Sequence, residues 1–385
     1  MMVQRNEDEM IITSKNIWID HQFQHKSLHI ENHRIKEITK PVNGGFDYGE
    51  KWILPGFIDI HDHGFNGYEA NKLNYQALMD WTKQLAKEGV TSLLPTFLSE
   101  RDPSIENGLK ILSDLLDNHQ FKARIPGIFI EGPFLSHKRK GVFNPESFKP
   151  VDIELIRKYQ TLSGQRIKMI TLAPELEGSL EFIEAMVKEG IVVSLGHSEA
   201  TYEQAIQAIG AGATSFTHLY NAMSGLHHRQ PGMVGACLDS QEVFAELITD
   251  GHHVSDAAVR IAAKLKGDDY LITVTDPTGM KGMPVGSYMR DDINTEIIVS
   301  EDGSAKTVDG TIAGSTAKMN ELLYRNHYYY QMSLKQTINS ATINPARLLM
   351  LDDEIGSIEV GKLADLVVCD QRFKVDKVYL GGKEI

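Results

Sequence analysis

The chain is poor in cysteine, in long apolar runs and in positive charge, and each shortage excludes a class of protein. Two cysteines in 385 residues, Cys237 and Cys369, cannot build a disulfide framework, and neither stands in a C-x-x-C or zinc-knuckle spacing. A reducing, cytoplasmic location is therefore expected. No apolar stretch reaches the roughly 18 residues of a membrane span. The N-terminus carries Glu7, Asp8 and Glu9 where an export signal needs a basic and then an apolar start. Lys and Arg number 39 against 52 Asp and Glu, a formal charge of −13, which is the wrong sign for a nucleic-acid or anionic-membrane partner. Any anionic ligand then needs a local positive patch. Low-complexity tracts and internal repeats are also missing, and 42% hydrophobic with 24% charged residues is the composition of a folded globular chain. No G-x-S-x-G elbow is present, which disfavours a serine hydrolase.

What the sequence does contain is organised in three parts. Between residues 10 and 54 short strand-like runs alternate with turns: Met10 to Ile12, Asn16 to Ile19, Ser27 to Ile30, Arg34 to Ile38 and Trp52 to Leu54. From Gly56 onward eight apolar runs alternate with amphipathic helical stretches, the pattern of a parallel sheet with helices outside. The runs are Phe57 to His63, Val90 to Phe97, Gly127 to Glu131, Lys168 to Leu172, Val192 to His197, Ser215 to His218, Phe244 to Asp250 and Leu271 to Asp276. Strand-like text returns at Gly356 to Ile358, Asp365 to Cys369 and Val378 to Leu380. The expected fold is α/β: a (β/α)8 TIM barrel over residues 56–350, with a small β-sandwich domain built from residues 1–55 and 351–385.

The ends of the eight runs carry the chemistry. They supply His61 and His63, Glu131, His197, His218, Asp250 and Asp276, and in a (β/α)8 barrel these ends converge on one mouth. The H-x-H spacing of His61 and His63 puts both imidazoles on one face of a strand. A carboxylate at the end of a buried strand, such as Glu131, is costly unless paired or bound to a cation; the competing reading is a surface pair with Arg139. Two histidines and a glutamate with an open position form a known catalytic metal arrangement, and Asp276 could take a proton from water activated there. The competing readings are buried histidines satisfied by backbone bonds and, for Asp276, a turn cap before Pro277.

Two other patterns are set aside. His21, His25, His29 and His33 recur every fourth residue, but in strand-like text, where that spacing makes no metal-binding stripe. Gly356-Ser357-Ile358-Glu359-Val360-Gly361-Lys362 copies a phosphate-binding loop until Leu363 takes the place of the required Ser or Thr.

Longer motifs carry a resemblance. They are Pro55-Gly56-Phe57-Ile58-Asp59-Ile60-His61-Asp62-His63-Gly64, Glu131-Gly132-Pro133-Phe134, Gly196-His197-Ser198, Thr217-His218-Leu219-Tyr220-Asn221-Ala222-Met223, His228-Arg229-Gln230-Pro231-Gly232 and Asp250-Gly251-His252-His253-Val254. With these the chain resembles the amidohydrolase superfamily, and within it the N-acetylglucosamine-6-phosphate deacetylase family, over essentially its whole length. The resemblance implies a divalent metal (zinc, iron, manganese or cobalt) held by Glu131, His197 and His218, with His61 and His63 able to hold a second ion and Asp276 as general base. It further implies phosphate contacts from Arg229 and His253, often across a dimer interface, and a ligand-facing backbone at Asn221 and Ala222. One departure stands out. Many members carry K-G-x-H-N-P in the third loop, with the His bonded to substrate, whereas this chain reads Lys140-Gly141-Val142-Phe143-Asn144-Pro145. The implied activity is deacetylation of an N-acetylhexosamine 6-phosphate, with glucosamine first and galactosamine as the alternative. Rivals are another amidohydrolase reaction and a non-catalytic sugar-phosphate sensor.

Overall fold

A computed structural model describes residues 9–290 and 293–385. The acidic start at residues 1–8, on which the reading against export rests and which opens the expected terminal domain, lies outside the described residues.

The eight runs form the expected barrel. Its strands are Phe57–Asp62, Val90–Leu98, Ile128–Glu131, Ile167–Leu172, Val192–Leu195, Ser215–Phe216, Phe244–Leu247 and Leu271–Thr273, hydrogen-bonded side by side in chain order. The seam between first and eighth strands is joined through other groups: Ile58 N–H donates to Ala341 O (2.8 Å), Thr273 N–H to Ser340 O (2.9 Å) and Asp276 N–H to His61 O (2.9 Å). Asp59 adds a side-chain tie across the same seam to the Thr275 hydroxyl. Inside the ring Ile58, Ile60, Leu94, Phe129, Met169, Ile248 and Val274 pack together, and Ala346 and Leu348 from the helix Ile343–Leu348 join this interior core.

Both chain ends contribute to one eight-stranded sheet. Leu366–Cys369 lies antiparallel to Trp52–Pro55, which pairs in parallel with the long strand Glu9–Ile19. Alternation along each strand divides it between two cores. Ile53, Leu366 and Val368 face a core of Ile12, Ile17 and Leu28, while Trp52, Leu54, Val367 and Cys369 belong to the larger core around the barrel. The runs Met10 to Ile12 and Asn16 to Ile19 are one strand, broken in register between Ser14 and Ile17. Gly356 to Ile358, expected as a strand, forms a bend instead.

Two tight turns account for half of the histidine series. Asp20 and His21 (φ 50° and 60°), then Asn32 and His33 (φ 51° and 66°), are two-residue hairpin loops that require left-handed backbone at both positions, where Asp, Asn and His are tolerated. His25 and His29 lie on the strand between them, so the four never share a helix face.

An insertion was not legible in the sequence. After the eighth strand, Gly286–Arg290, Thr295–Val299 and Ala305–Thr307 build a small antiparallel sheet. Ile297, Val299 and Ala305 pack inward on Met280 and Ala313, which ties this sheet to the chain flanking the barrel mouth.

Candidate metal centre and active site

The barrel strands end earlier than the apolar runs suggest, for a local reason. His197, His218 and Asp276 have φ of 45°, 34° and 44°, left-handed values rare for residues with a side chain and costing on the order of 1–3 kcal/mol each. Each leaves its strand at that point. The excursion is held by bonds on either side: Ser136 N–H donates to His197 O (2.9 Å), His218 N–H to Glu246 Oε2 (3.1 Å) and Asp276 N–H to His61 O.

Six buried side chains meet there in two groups, each able to hold a cation: His61, His63 and Asp276, and Glu131, His197 and His218. In the first, His61 Nε2 and His63 Nε2 are 3.1 Å apart and lie 3.4 and 3.2 Å from Asp276 Oδ1. In the second, Glu131 Oε1 is 3.2 Å from His197 Nε2 and 2.9 Å from His218 Nε2, which are 3.0 Å from each other. Glu131 Oε2 reaches the first group, 3.2 Å from His63 Nε2. Glu131 pairs with these rings and not with Arg139, whose guanidinium meets Glu199.

The other ring nitrogens decide what this cluster can bind. His63 Nδ1 sits 2.9 Å from Thr96 O and His197 Nδ1 2.8 Å from Arg139 O, and a carbonyl only accepts, so both Nδ1 atoms carry the proton. His61 Nδ1 likewise donates to the Glu246 carboxylate at 2.8 Å. In neutral rings the Nε2 atoms of His61 and His63 then present lone pairs to each other across 3.1 Å, which is repulsive without a proton or a cation between them. A ligand set of imidazoles and carboxylates fits a divalent transition metal in that place. With protons alone, burial opposes charging of His63, but Asp276 and Glu131 outweigh it and push the ring up to about 9. Burial would raise Asp276, yet His61 and His63 lower its carboxyl to about 2. Glu131 is held well below the usual carboxylate range against its own burial, by His61, His197 and His218.

The amidohydrolase family model matches residues 52–385. The chain belongs to the amidohydrolase family. It is 34% identical over 354 residues to the N-acetylglucosamine-6-phosphate deacetylase of Lysinibacillus sphaericus, covering 91% of this chain and 90% of that one. It is 33% identical over 331 residues to the N-acetylgalactosamine-6-phosphate deacetylase of Escherichia coli O157:H7, covering 86% and 87%. Among solved structures, the N-acetylglucosamine-6-phosphate deacetylase of Pasteurella multocida superposes with a TM-score of 0.90 at 30% identity, over 98% of this chain and 99% of that one.

In this amidohydrolase a cavity of about 360 Å³ opens directly on both groups, within the roughly 300–1,000 Å³ of small-molecule sites. His63, Glu131, His197, His218 and Asp276 form its floor, and Asn221, Ala222 and His253 lie on its wall. His253 is oriented by Asp250 Oδ2, 2.7 Å from its Nδ1. Lys138 and Arg139 bring positive charge to the cavity. Arg229 does not line it; the guanidinium lies exposed beside His228, donating to its Nε2 at 2.7 Å. Phe143 does line it, its ring 5.0 Å from that of His197 and packed with Leu98, Leu135 and Phe148.

Sequence reasoning missed Glu246 and Lys281. Glu246 is fully buried in the seventh strand, and Lys281, 2% exposed and in the loop that follows Asp276, pairs with Glu88 Oε2 at 2.8 Å. For Glu246 the signal was available: one acid inside Phe244-Ala245-Glu246-Leu247-Ile248 needs a buried partner.

Proposed function

We propose that this amidohydrolase hydrolyses the acetamide of an N-acetylhexosamine 6-phosphate, releasing acetate and the amino-sugar phosphate. The observation that carries this reading is the pair of buried His and carboxylate groups on the floor of a cavity whose wall holds Asn221 and His253. Relatives that act on such sugars cover about nine-tenths of the chain.

Glu131, His197 and His218 would hold one divalent cation, and His61 and His63 would hold a second. When bound, the metal polarises the amide carbonyl and lowers the pKa of water toward 7. Asp276 is ionised across the neutral range and accepts the proton from the attacking water. That proton then passes to the departing nitrogen as the C–N bond breaks, so the amine leaves neutral with acetic acid, whose remaining proton goes to the free amine or to solvent at neutral pH to give acetate. The backbone at Asn221 and Ala222 and the His253 ring orient the sugar phosphate, and Lys138 adds a positive charge in a chain of net charge −13.

One residue bears on the alternative, galactosamine, substrate. Phe143 occupies the third loop at the cavity, where the resemblance implies a histidine, and a phenyl ring cannot donate a hydrogen bond to the substrate. Acetate release by metal-loaded protein, measured in parallel with N-acetylglucosamine 6-phosphate and N-acetylgalactosamine 6-phosphate, separates the two. Release mainly from the first supports the leading assignment; release mainly from the second transfers it to galactosamine. Release from neither by protein that holds metal refutes deacetylation.

The proposal extends to assembly and location. The protein is a cytoplasmic homodimer in which the exposed Arg229 completes the partner's phosphate site, and the small β domain divides from the barrel after residues 55 and 350. Among the described residues no helix is long and apolar enough to cross a membrane.

A further inference from the structure

We infer that Glu246 is a positioning residue that makes the His61, His63 and Asp276 group competent to hold a cation. This rests on the proposed reading of both groups as metal sites.

Glu246 has no solvent exposure and sits between Ala245 and Leu247 in the seventh strand. A carboxylate there is strongly disfavoured unless other groups compensate it. The compensation comes from the site itself. A single oxygen, Oε2, accepts from the His61 ring at Nδ1 (2.8 Å) and from the His218 backbone N–H (3.1 Å). It thereby joins one histidine from each metal group, and their rings stack with centroids 5.7 Å apart at 29°. Oε1 has no hydrogen-bond partner.

The four histidines are supported unequally. His63 and His197 lean on neutral backbone carbonyls, of Thr96 and Arg139, and His218 Nδ1 has no partner. Of the four Nδ1 atoms only that of His61 meets a carboxylate. A carboxylate behind an imidazole fixes which nitrogen carries the proton and makes the opposite nitrogen a stronger donor to metal. In this protein the opposite nitrogen is His61 Nε2, which faces His63 and Asp276. Without Glu246, His61 Nδ1 loses its carboxylate acceptor, whereas in the Glu131 group the loss is one backbone bond, from His218 N–H, and no bond made by a ligand side chain.

Cobalt(II) titration of metal-free wild type, Glu246→Gln and Glu246→Leu tests this. Ions retained per chain and the visible absorption of bound cobalt are followed, and thermal melting without metal controls for folding. Wild type is expected to take up two ions. Glu246→Leu should weaken the second equivalent by roughly 10- to 100-fold while the first keeps its affinity and spectrum. Glu246→Gln, which keeps an acceptor oxygen but not the charge, should fall between and decides the matter if the leucine variant does not fold. The inference is overturned if the folded variants bind both equivalents like wild type, or weaken both in parallel. It is also overturned if wild type holds only one ion, whereas wild type holding none refutes the metal reading itself.

Discussion

Glu131 and His63 tie the two halves of the site together: Glu131 Oε2 lies 3.2 Å from His63 Nε2, while its other oxygen lies 2.9 Å from His218 Nε2. The carboxylate thus spans the first, fifth and sixth strands from the third. Glu131→Ala should therefore lose metal from both groups. Metal content and acetate release should fall by more than the roughly 10- to 100-fold typical of a residue that touches only a ligand. A variant that keeps one ion at wild-type affinity would refute the bridging role.

Asp276→Asn separates base from ligand. The amide keeps the size of the side chain and one acceptor oxygen, but it cannot take a proton. Metal at Glu131, His197 and His218 should be retained and turnover should drop by about 10²- to 10⁴-fold, the usual contribution of a general base. Single-turnover acetate release at matched metal content is the measurement, and near-normal turnover would sink the assignment.

Metal binding should be strongly pH-dependent, with a sign set by His63. Its ring is pushed up to about 9 in the metal-free protein, against 6.5 for an ordinary histidine. The charged ring stabilises the metal-free fold fully below pH 6.5, and this contribution is lost as pH rises through about 9. A cation must displace that proton. Cobalt affinity should then rise about tenfold per pH unit, for each proton displaced, up to pH 9. Calorimetry in buffers of different ionisation enthalpy counts the released protons, and a flat profile from pH 6.5 to 9 would contradict the geometry.

Much of this arrangement was legible in the chain, and the parts that were not have physical reasons. Apolar runs locate the eight strands because both faces of a barrel strand are covered, but the ends were overestimated at His197, His218 and Asp276. Nothing in periodicity marks a residue held at positive φ by hydrogen bonds from other segments. The inserted sheet was hidden because Met289 and Ile298 are exposed, 65% and 40%, so its strands show no clean apolar face. Glu246 was passed over because the run around it reads as an ordinary strand, and its meaning lies in a ring 185 residues away. The six donors were visible because they stand at strand ends, although the same criterion also offered Asp250, which pairs with His253 instead.

Phe143 gives a substrate-selective test. Its ring is buried against Leu98, Leu135 and Phe148, so a histidine there loses apolar burial and gains a donor facing the cavity. If the enzyme prefers N-acetylglucosamine 6-phosphate through another contact, Phe143→His should change kcat/KM for that sugar by no more than about threefold. If the phenyl ring selects galactosamine, the same variant should improve the glucosamine substrate by about tenfold, the value of one net hydrogen bond. The ratio of kcat/KM for the two sugars, before and after substitution, distinguishes these outcomes independently of total activity.

Lys281 should matter for stability more than for chemistry. Its ammonium is buried and meets Glu88 Oε2 at 2.8 Å, and the same oxygen accepts from Met319 N–H at 3.3 Å. Glu88 and Asp62 raise the Lys281 pKa against the opposing effect of burial. The Lys281 carbonyl also accepts from Asn66 N–H at 2.7 Å, so the loop after Asp276 is fastened to the loop after His63. Removing the ammonium leaves Glu88 buried without its cation. Lys281→Met should therefore cost about 3–5 kcal/mol in denaturant unfolding, the usual penalty for breaking a buried pair from one side. Adding Glu88→Leu removes the stranded carboxylate, and the double variant should recover most of that loss although it contains no ion pair. If the pair served only to hold Asp276 in place, the double variant would regain stability but not turnover. Recovery of neither would place the defect in the packing of the methionine and not in the unpaired charge.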